Sequence, residues 1–383
     1  MARIIVAGYI ARFPLAGQAW AHLHYLLGLQ ALGHDVTFFE DAGWPGACYD
    51  PEQGTMGNDA GYGIRVLEQL LGRFGLEGRW VFRDLHKTCS GLSQRAADEC
   101  IACADVLLNL SGVTWFDGFE RIPARAFVDE DPVFTQVHAA TDRGFWSLLN
   151  GHQSLFSYGH NIGLPGCGIP AAGLSWQPFQ QPIALDLWPV ARDPAEGGGP
   201  ADTLTTILSW NAYGAVEFEG KTFGSKSMSF PLVKTLPART PQRLELAVSG
   251  EDVPAGELSS SGWMLRDPLA VSRSLDSYRE YISASRGEFS IAKHGYVASR
   301  SGWFSDRSAA YLACGRPVIL QDTGYTDWLP AGEGLLAFDD LDGALGAVAA
   351  VNGAYERHRR AARAIAEEYF DARRVLGSLL ERL

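Results

Sequence analysis

The chain has 383 residues with a hydrophobic share of 46% and a charged share of 20%, values that exclude disorder. One ordinary core holds roughly 100 to 200 residues, so two domains are expected. A formal net charge of -12 argues against nucleic acid as a partner, because phosphate contacts draw on clustered Lys and Arg.

The six cysteines (Cys48, Cys89, Cys100, Cys103, Cys167 and Cys314) are scattered, the pattern of reduced thiols in a cytoplasm rather than a disulfide framework. Cys100 and Cys103 form one C-x-x-C with no second pair nearby, so they read as two thiols on a helix and no metal is expected. No signal peptide precedes the first strand and no apolar run of about 18 residues suggests a membrane span. A cytoplasmic protein is expected.

Ile4, Ile5, Val6 and Ala7 form an unbroken apolar run ending at Gly8, which predicts a central parallel strand covered on both faces. Trp20, Leu23, Leu27 and Leu32 then recur at helical spacing, and Gly33 stands where a left-handed cap belongs. Val36, Phe38 and Phe39 predict the next strand, which completes a right-handed crossover unit and starts a doubly wound sheet. Further helices are predicted over 64–73 and 94–103, with strands over 80–82, 106–110 and 124–128. The last of these strands runs into the acidic triplet Asp129, Glu130, Asp131.

A proline-rich stretch with the run Gly197–Gly199 predicts an interdomain connection, and the boundary is set near residue 200. Strands over 204–208, 243–248 and 291–293 restart the alternation. A helix over 306–314 is capped by Gly315 and stopped by Pro317, and the strand Val318, Ile319, Leu320 follows, leading into Gln321, Asp322 and Thr323. The stretch 354–383 reads as amphipathic helix, with Arg357, Arg359, Arg360 and Arg363 as a solvated face.

The start of the 306–314 helix carries Ser305, Asp306, Arg307 and Ser308. Exposed amides, hydroxyls and a guanidinium in that arrangement suit a diphosphate, although Ser305 or Asp306 acting as a simple cap accounts for the same residues. Residues 287–324, GEFSIAKHGYVASRSGWFSDRSAAYLACGRPVILQDTG, resemble the donor half of CgeB-like (spore-maturation-type) glycosyltransferases. The likeness extends more loosely to SWNAYGAVEFEGKTFGSK at 209–226 and EEYFDARRVL at 367–376.

The resemblance implies an α/β GT-B fold, two Rossmann-like doubly wound domains facing a central cleft. Residues 1–200 would bind a small-molecule or glycan acceptor, and residues 201–383, terminal helices included, an NDP-sugar. A UDP- or dTDP-sugar is favoured as co-substrate, with no other cofactor. Carried onto this chain, Ser305, Asp306, Arg307 and Ser308 would hold phosphate, and Gln321, Asp322 and Thr323 would reach sugar hydroxyls. Lys226 would face the leaving diphosphate, with Lys293 and Lys221 as rivals. Trp263 is a core residue with base stacking as its alternative role.

Retaining enzymes of the common type carry a glutamate pair around this helix, and the matching positions hold Gly302 and Ala310. Inversion is therefore expected, with a base from the first domain. Asp129, Glu130 and Asp131 are candidates, with His22 or His24 on the first helix. Tyr9, Gly17, His160 and Asn161 are expected on the acceptor side. The glycines after the first strand do not spell G-x-G-x-x-G, which disfavours an oxidoreductase. Alternatives to transfer are a non-catalytic nucleotide-sugar or carbohydrate-binding protein and a nucleotide-sugar epimerase.

Overall fold

The computed structural model describes residues 1–191, 201–212 and 214–383. The Gly197–Gly199 run and the boundary expected at residue 200 lie outside the described residues.

The first lobe is built from β1 (Arg3–Ala7), β2 (Asp35–Asp41), a hairpin of β3 (Cys48–Asp50) and β4 (Thr55–Gly57), then β5 (Trp80–Arg83), β6 (Cys89–Gly91), β7 (Val106–Leu110), β8 (Ala124–Asp129), β9 (Ser154–Ser157) and β10 (Trp176–Pro178). Apart from the hairpin they form one sheet in the order β10-β9-β8-β7-β1-β2-β5-β6, parallel except at the β5-β6 edge. Every residue of β7 is buried, which is why its sequence is apolar except at Asn109.

The second lobe contains β11 (Ala201–Ser209), a hairpin of β12 (Val216–Phe218) and β13 (Lys221–Phe223), β14 (Arg243–Ser249), β15 (Met264–Arg266), β16 (Ser285–Ser290), β17 (Val318–Gln321) and β18 (Leu335–Phe338). Its sheet runs β15-β14-β11-β16-β17-β18 and is parallel. Both sheets are doubly wound, with the strand order reversing beside β1 in one and β11 in the other. Such switch points open crevices at the carboxyl ends of strands.

One expected strand is displaced. The segment 291–293 lies just beyond β16, and the strand itself is Ser285–Ser290, whose Glu288 and Ser290 are buried. Its polar text disguised it. Those side chains are buried because a neighbouring arginine binds them.

The first helix, Ala16–Ala31, and the last, Ala372–Leu380, pack against each other, so the chain ends on the first lobe. A Cβ on Gly28 would stand 2.5 Å from Leu376 Cδ1 and 2.8 Å from the Ala372 methyl, and only glycine permits this approach. The allotment of all terminal helices to residues 201–383 overlooks this return. The solvated arginine face is also corrected: Arg359 is buried and donates to the Ala191 carbonyl at 2.5 Å, while Arg363 donates to the carbonyls of Trp188 and Ala313. Both guanidiniums thus serve backbone carbonyls, that of Ala313 being at the end of a helix, where carbonyls have no intrahelical partner. No helix among the described residues is long and apolar enough to cross a membrane.

Candidate functional site

Three polar groups hold the loops that leave the first sheet. Glu40, at the end of β2, accepts the backbone N–H groups of Ile10, Ala11 and Arg12 at 2.8, 2.8 and 2.7 Å. Burial pushes its carboxyl up to about 7, against the opposing pull of Arg12 and those amides. The loop after β1 therefore binds an internal carboxylate where a dinucleotide fold would bind pyrophosphate.

His22 is the second clasp. Its Nε2 accepts the Tyr9 N–H at 3.1 Å, so Nδ1 carries the proton and donates to the Gln18 carbonyl at 3.0 Å. Burial lowers the ring to about 4. With both nitrogens engaged, His22 has no position left for an acceptor proton, which corrects its candidacy as a base. His24 is likewise buried and accepts the Ala184 N–H.

Asp129 is the third. Its carboxylate is fully buried and accepts from Thr135 Oγ1, Gln136 Nε2, Ser157 Oγ and the Asp131 N–H. Burial raises it, and the four donors oppose that rise. It shapes the loop rather than meeting an acceptor, a second correction.

The remaining two acids of the triplet face an interlobe cavity of about 1080 Å³. Asp131 reaches across the cleft to Lys293, at 2.9 and 3.0 Å, and accepts the Tyr296 hydroxyl. A carboxylate tied this way holds the lobes in register. Glu130 keeps one bond, from Ser111 Oγ at 2.7 Å, and burial pushes it up to about 7, helped by the charges of Asp306, Asp129 and Asp131. A half-buried carboxyl near neutrality in a cleft is suited to taking a proton. Tyr9 lines the same cavity, alongside Trp44, Trp115 and Trp303.

A second compartment of about 1230 Å³ adjoins the first and shares Lys293, Tyr296, Trp303 and Asp306 with it. Lys226 lies here, buried, with no hydrogen bond or ion pair to its ammonium among the described residues. Burial drives its pKa well down, the positive charges of Arg307 and Lys293 add to the effect, and the carboxylates of Glu288 and Asp306 oppose it in part. A buried ammonium beside two further cations is costly unless an anion joins it.

Arg307 lines this compartment as well. Its three nitrogens are already used, Nε on Glu288 at 2.5 Å, Nη1 on the Ile207 carbonyl at 2.6 Å and Nη2 on Ser290 at 2.9 Å. Burial works against its charge and Glu288 more than restores it. The guanidinium has N–H groups to spare, but it is fixed from beneath by the sheet. Ser305 occupies the cap position of the helix Asp306–Ala313 without a side-chain cap bond, and its first-turn residues face the cleft. Ser308 points inward, fully buried, with Oγ unpartnered.

Other expected residues do not meet at the cleft. Asp322 accepts the Gly324 N–H and the Thr326 hydroxyl, Thr323 donates to the Trp303 carbonyl, and Gln321 accepts the Ala292 N–H. None of the three lines either compartment. Asn161 ties the lobes by donating to Arg300, Gly324 and Asp327, and His160 stacks on Trp328 with centroids 3.6 Å apart. Gly17 does reach the cleft, but in the second compartment beside Lys226 and Arg307 rather than on the expected acceptor side. Trp263 is buried against Phe230 and Phe289, and Lys221 is exposed on the β12-β13 hairpin. Gln181, Trp44, Trp115 and Tyr296 were missed, since a glutamine and scattered aromatics carry no motif.

No family model matches the chain, and no curated protein matches it. Solved structures do. An α-glucosyltransferase in complex with UDP matches at TM-score 0.61 and 10% identity, covering 100% of this chain and 99% of that one. Sucrose-phosphate synthase from Thermosynechococcus elongatus matches at 0.56 and 15%, covering 100% and 99%. Anabaena HepE in complex with UDP matches at 0.57 and 12%, covering 100% of both chains.

The fold is GT-B. At these identities the likeness is one of architecture, and it spans the whole chain. It also corrects one exclusion. The α-glucosyltransferase structures include complexes with a 13-mer DNA and with DNA containing an abasic site, so nucleic acid cannot be dismissed on net charge. A sum over all residues says nothing about where the charges lie.

Proposed function

We propose that this protein is an NDP-sugar-dependent glycosyltransferase, with the donor diphosphate seated against Lys226, Arg307 and the first turn of the helix at Asp306. The observation that carries the reading is Lys226, a buried lysine in a cleft between GT-B lobes whose ammonium makes no hydrogen bond or ion pair among the described residues. UDP in the α-glucosyltransferase and HepE complexes supports a uridine or similar donor. Membership in the CgeB-like group is supported by the quoted stretch 287–324 and by the fold. A cytoplasmic setting is supported by six unpaired cysteines.

In this reading Glu130 accepts the proton of the acceptor hydroxyl, whose oxygen bonds to the anomeric carbon as the bond to the diphosphate breaks. The departing negative charge is met by Lys226 and Arg307 in place of a metal. Lack of a glutamate at 302 and 310 supports single displacement with inversion. Lobe closure excludes water from the anomeric carbon.

The test is a thermal-shift screen against UDP-, dTDP-, GDP- and ADP-sugars, followed by product analysis with an acceptor panel that includes hydroxymethylated DNA. A selective stabilisation that disappears in Lys226→Met supports the reading. Equal shifts in both proteins, or none with any nucleotide, overturns it. The anomeric coupling constant of the product separates inversion from retention.

A further inference from the structure

The two compartments of the cleft differ in charge. The donor compartment is lined by Lys226, Lys293 and Arg307 against Glu251 and Asp306. The other is lined by four carboxylates, of which Asp41 is paired with Arg83 at 3.6 Å and Asp131 with Lys293, so that Glu130 and Asp306 are left without a paired cation among the described residues. A ligand entering the second kind of space gains by being positive and loses by being negative.

The polar groups left over there share one chemistry. Gln181 is 2% exposed and lines the compartment; its Nε2 donates to the Phe304 carbonyl, while Oε1 has no partner among the described residues. Among the described residues Glu130 receives one donor, from Ser111, and Asp306 a long contact of 3.5 Å from Ser305. All three present oxygen acceptors. An occupant that satisfies them must be rich in N–H and O–H donors.

The walls add flat apolar faces. Trp44 is 58% exposed at the mouth, its ring approached from one side by the Arg12 guanidinium at 5.3 Å. Trp115, Phe134 and Trp303 line the interior. Aromatic faces bind the C–H side of sugar rings and attract ammonium groups through the ring quadrupole.

We propose that the acceptor is an amine-bearing polyol ring, an amino sugar or aminocyclitol, whose ammonium lies against Asp306 and Gln181 within the field of Glu130, which is left to meet the acceptor hydroxyl, and whose ring rests on the Trp44 side of the cavity. The proposal rests on the glycosyltransferase reading for the word acceptor; the occupancy of the compartment can be tested without it.

Glucosamine, glucose and glucuronic acid share one ring and differ in charge. Binding of each to the full-length protein, with and without UDP, is measured by saturation-transfer NMR. Glucosamine should bind about tenfold tighter than glucose, the gain of one charge-assisted hydrogen bond, with glucuronic acid weakest. Glu130→Gln and Asp306→Asn should each reduce that preference, while Gln181→Leu should weaken both glucosamine and glucose. Equal binding of all three sugars, or preference for glucuronic acid, overturns the proposal even if UDP binds. Preference for glucosamine in a protein that binds no nucleotide upholds the compartment and overturns the glycosyltransferase reading instead.

Discussion

Asp131 and Lys293 join the two lobes across the cleft: the ammonium, just beyond β16, donates to both oxygens of the carboxylate, just beyond β8, at 2.9 and 3.0 Å. Tyr296 adds its hydroxyl to the same carboxylate. The pair is neither sealed nor exposed, with side-chain exposures of 15% and 31%.

Asp131→Asn keeps the shape and removes the charge. The expected cost is about 1.5 to 3 kcal/mol in urea denaturation, the range for hydrogen bonds to charged groups. The radius of gyration by small-angle scattering should rise as the lobes part. An unchanged radius would show that Asn161 and the returning helix suffice to hold the lobes.

Lys226→Met should stabilise the unliganded protein, because a methionine fills the site without an unpaired charge. The same change should abolish stabilisation by UDP. Opposite signs in the two measurements separate a ligand-binding lysine from a structural one. The depressed pKa of Lys226 makes the penalty full at low pH and relieves it as pH rises toward the unfolded value of 10.5, so the wild-type gap to Lys226→Met should narrow in alkali.

Arg307→Ala leaves Glu288 charged and buried, and should cost about 3 to 5 kcal/mol in denaturant unfolding. Loss of nucleotide binding in that variant would be ambiguous. The double variant Arg307→Ala with Glu288→Gln should recover most of the stability and still bind UDP weakly in calorimetry. Full recovery of affinity would remove Arg307 from the donor site.

Glu40 and Glu130 both stand at about 7 in the fold against 4.5 for the free side chain. Groups raised in this direction contribute stability that is fully present below 4.5 and is lost as pH rises through about 7. The melting temperature should carry a falling component across that window, reduced in Glu40→Gln. Turnover should move oppositely, since Glu130 acts as a base only when ionised: kcat/KM rises to a plateau above about 7. Glu130→Gln should lower kcat by about 100-fold or more and erase that limb of the profile.

Much of the architecture could be read in advance. The apolar runs at Ile4–Ala7 and Val106–Leu110, the glycine caps and the proline after Gly315 all express local rules, and the helix at Asp306 begins where its text predicts. The site was legible only in part. Asp129, Glu130 and Asp131 are chemically alike and adjacent, yet one is sealed by four donors, one bridges the lobes and one is left with a single hydroxyl. Successive residues leaving a strand point in different directions, and no composition rule states which neighbour each will meet.

The same division holds for the second lobe. Periodicity and turn chemistry act over a few residues, so the sequence by itself determined two doubly wound sheets and a helix start rich in serine and arginine. Pairing depends on contacts between residues far apart in the chain. Only the tertiary structure could decide that Arg307 is anchored by Glu288, that Asp322 closes a turn away from the cleft, and that Lys226 faces it with no hydrogen bond or ion pair among the described residues. The burial that suppresses a charge, and the donors that rescue one, exist only once distant strands have come together.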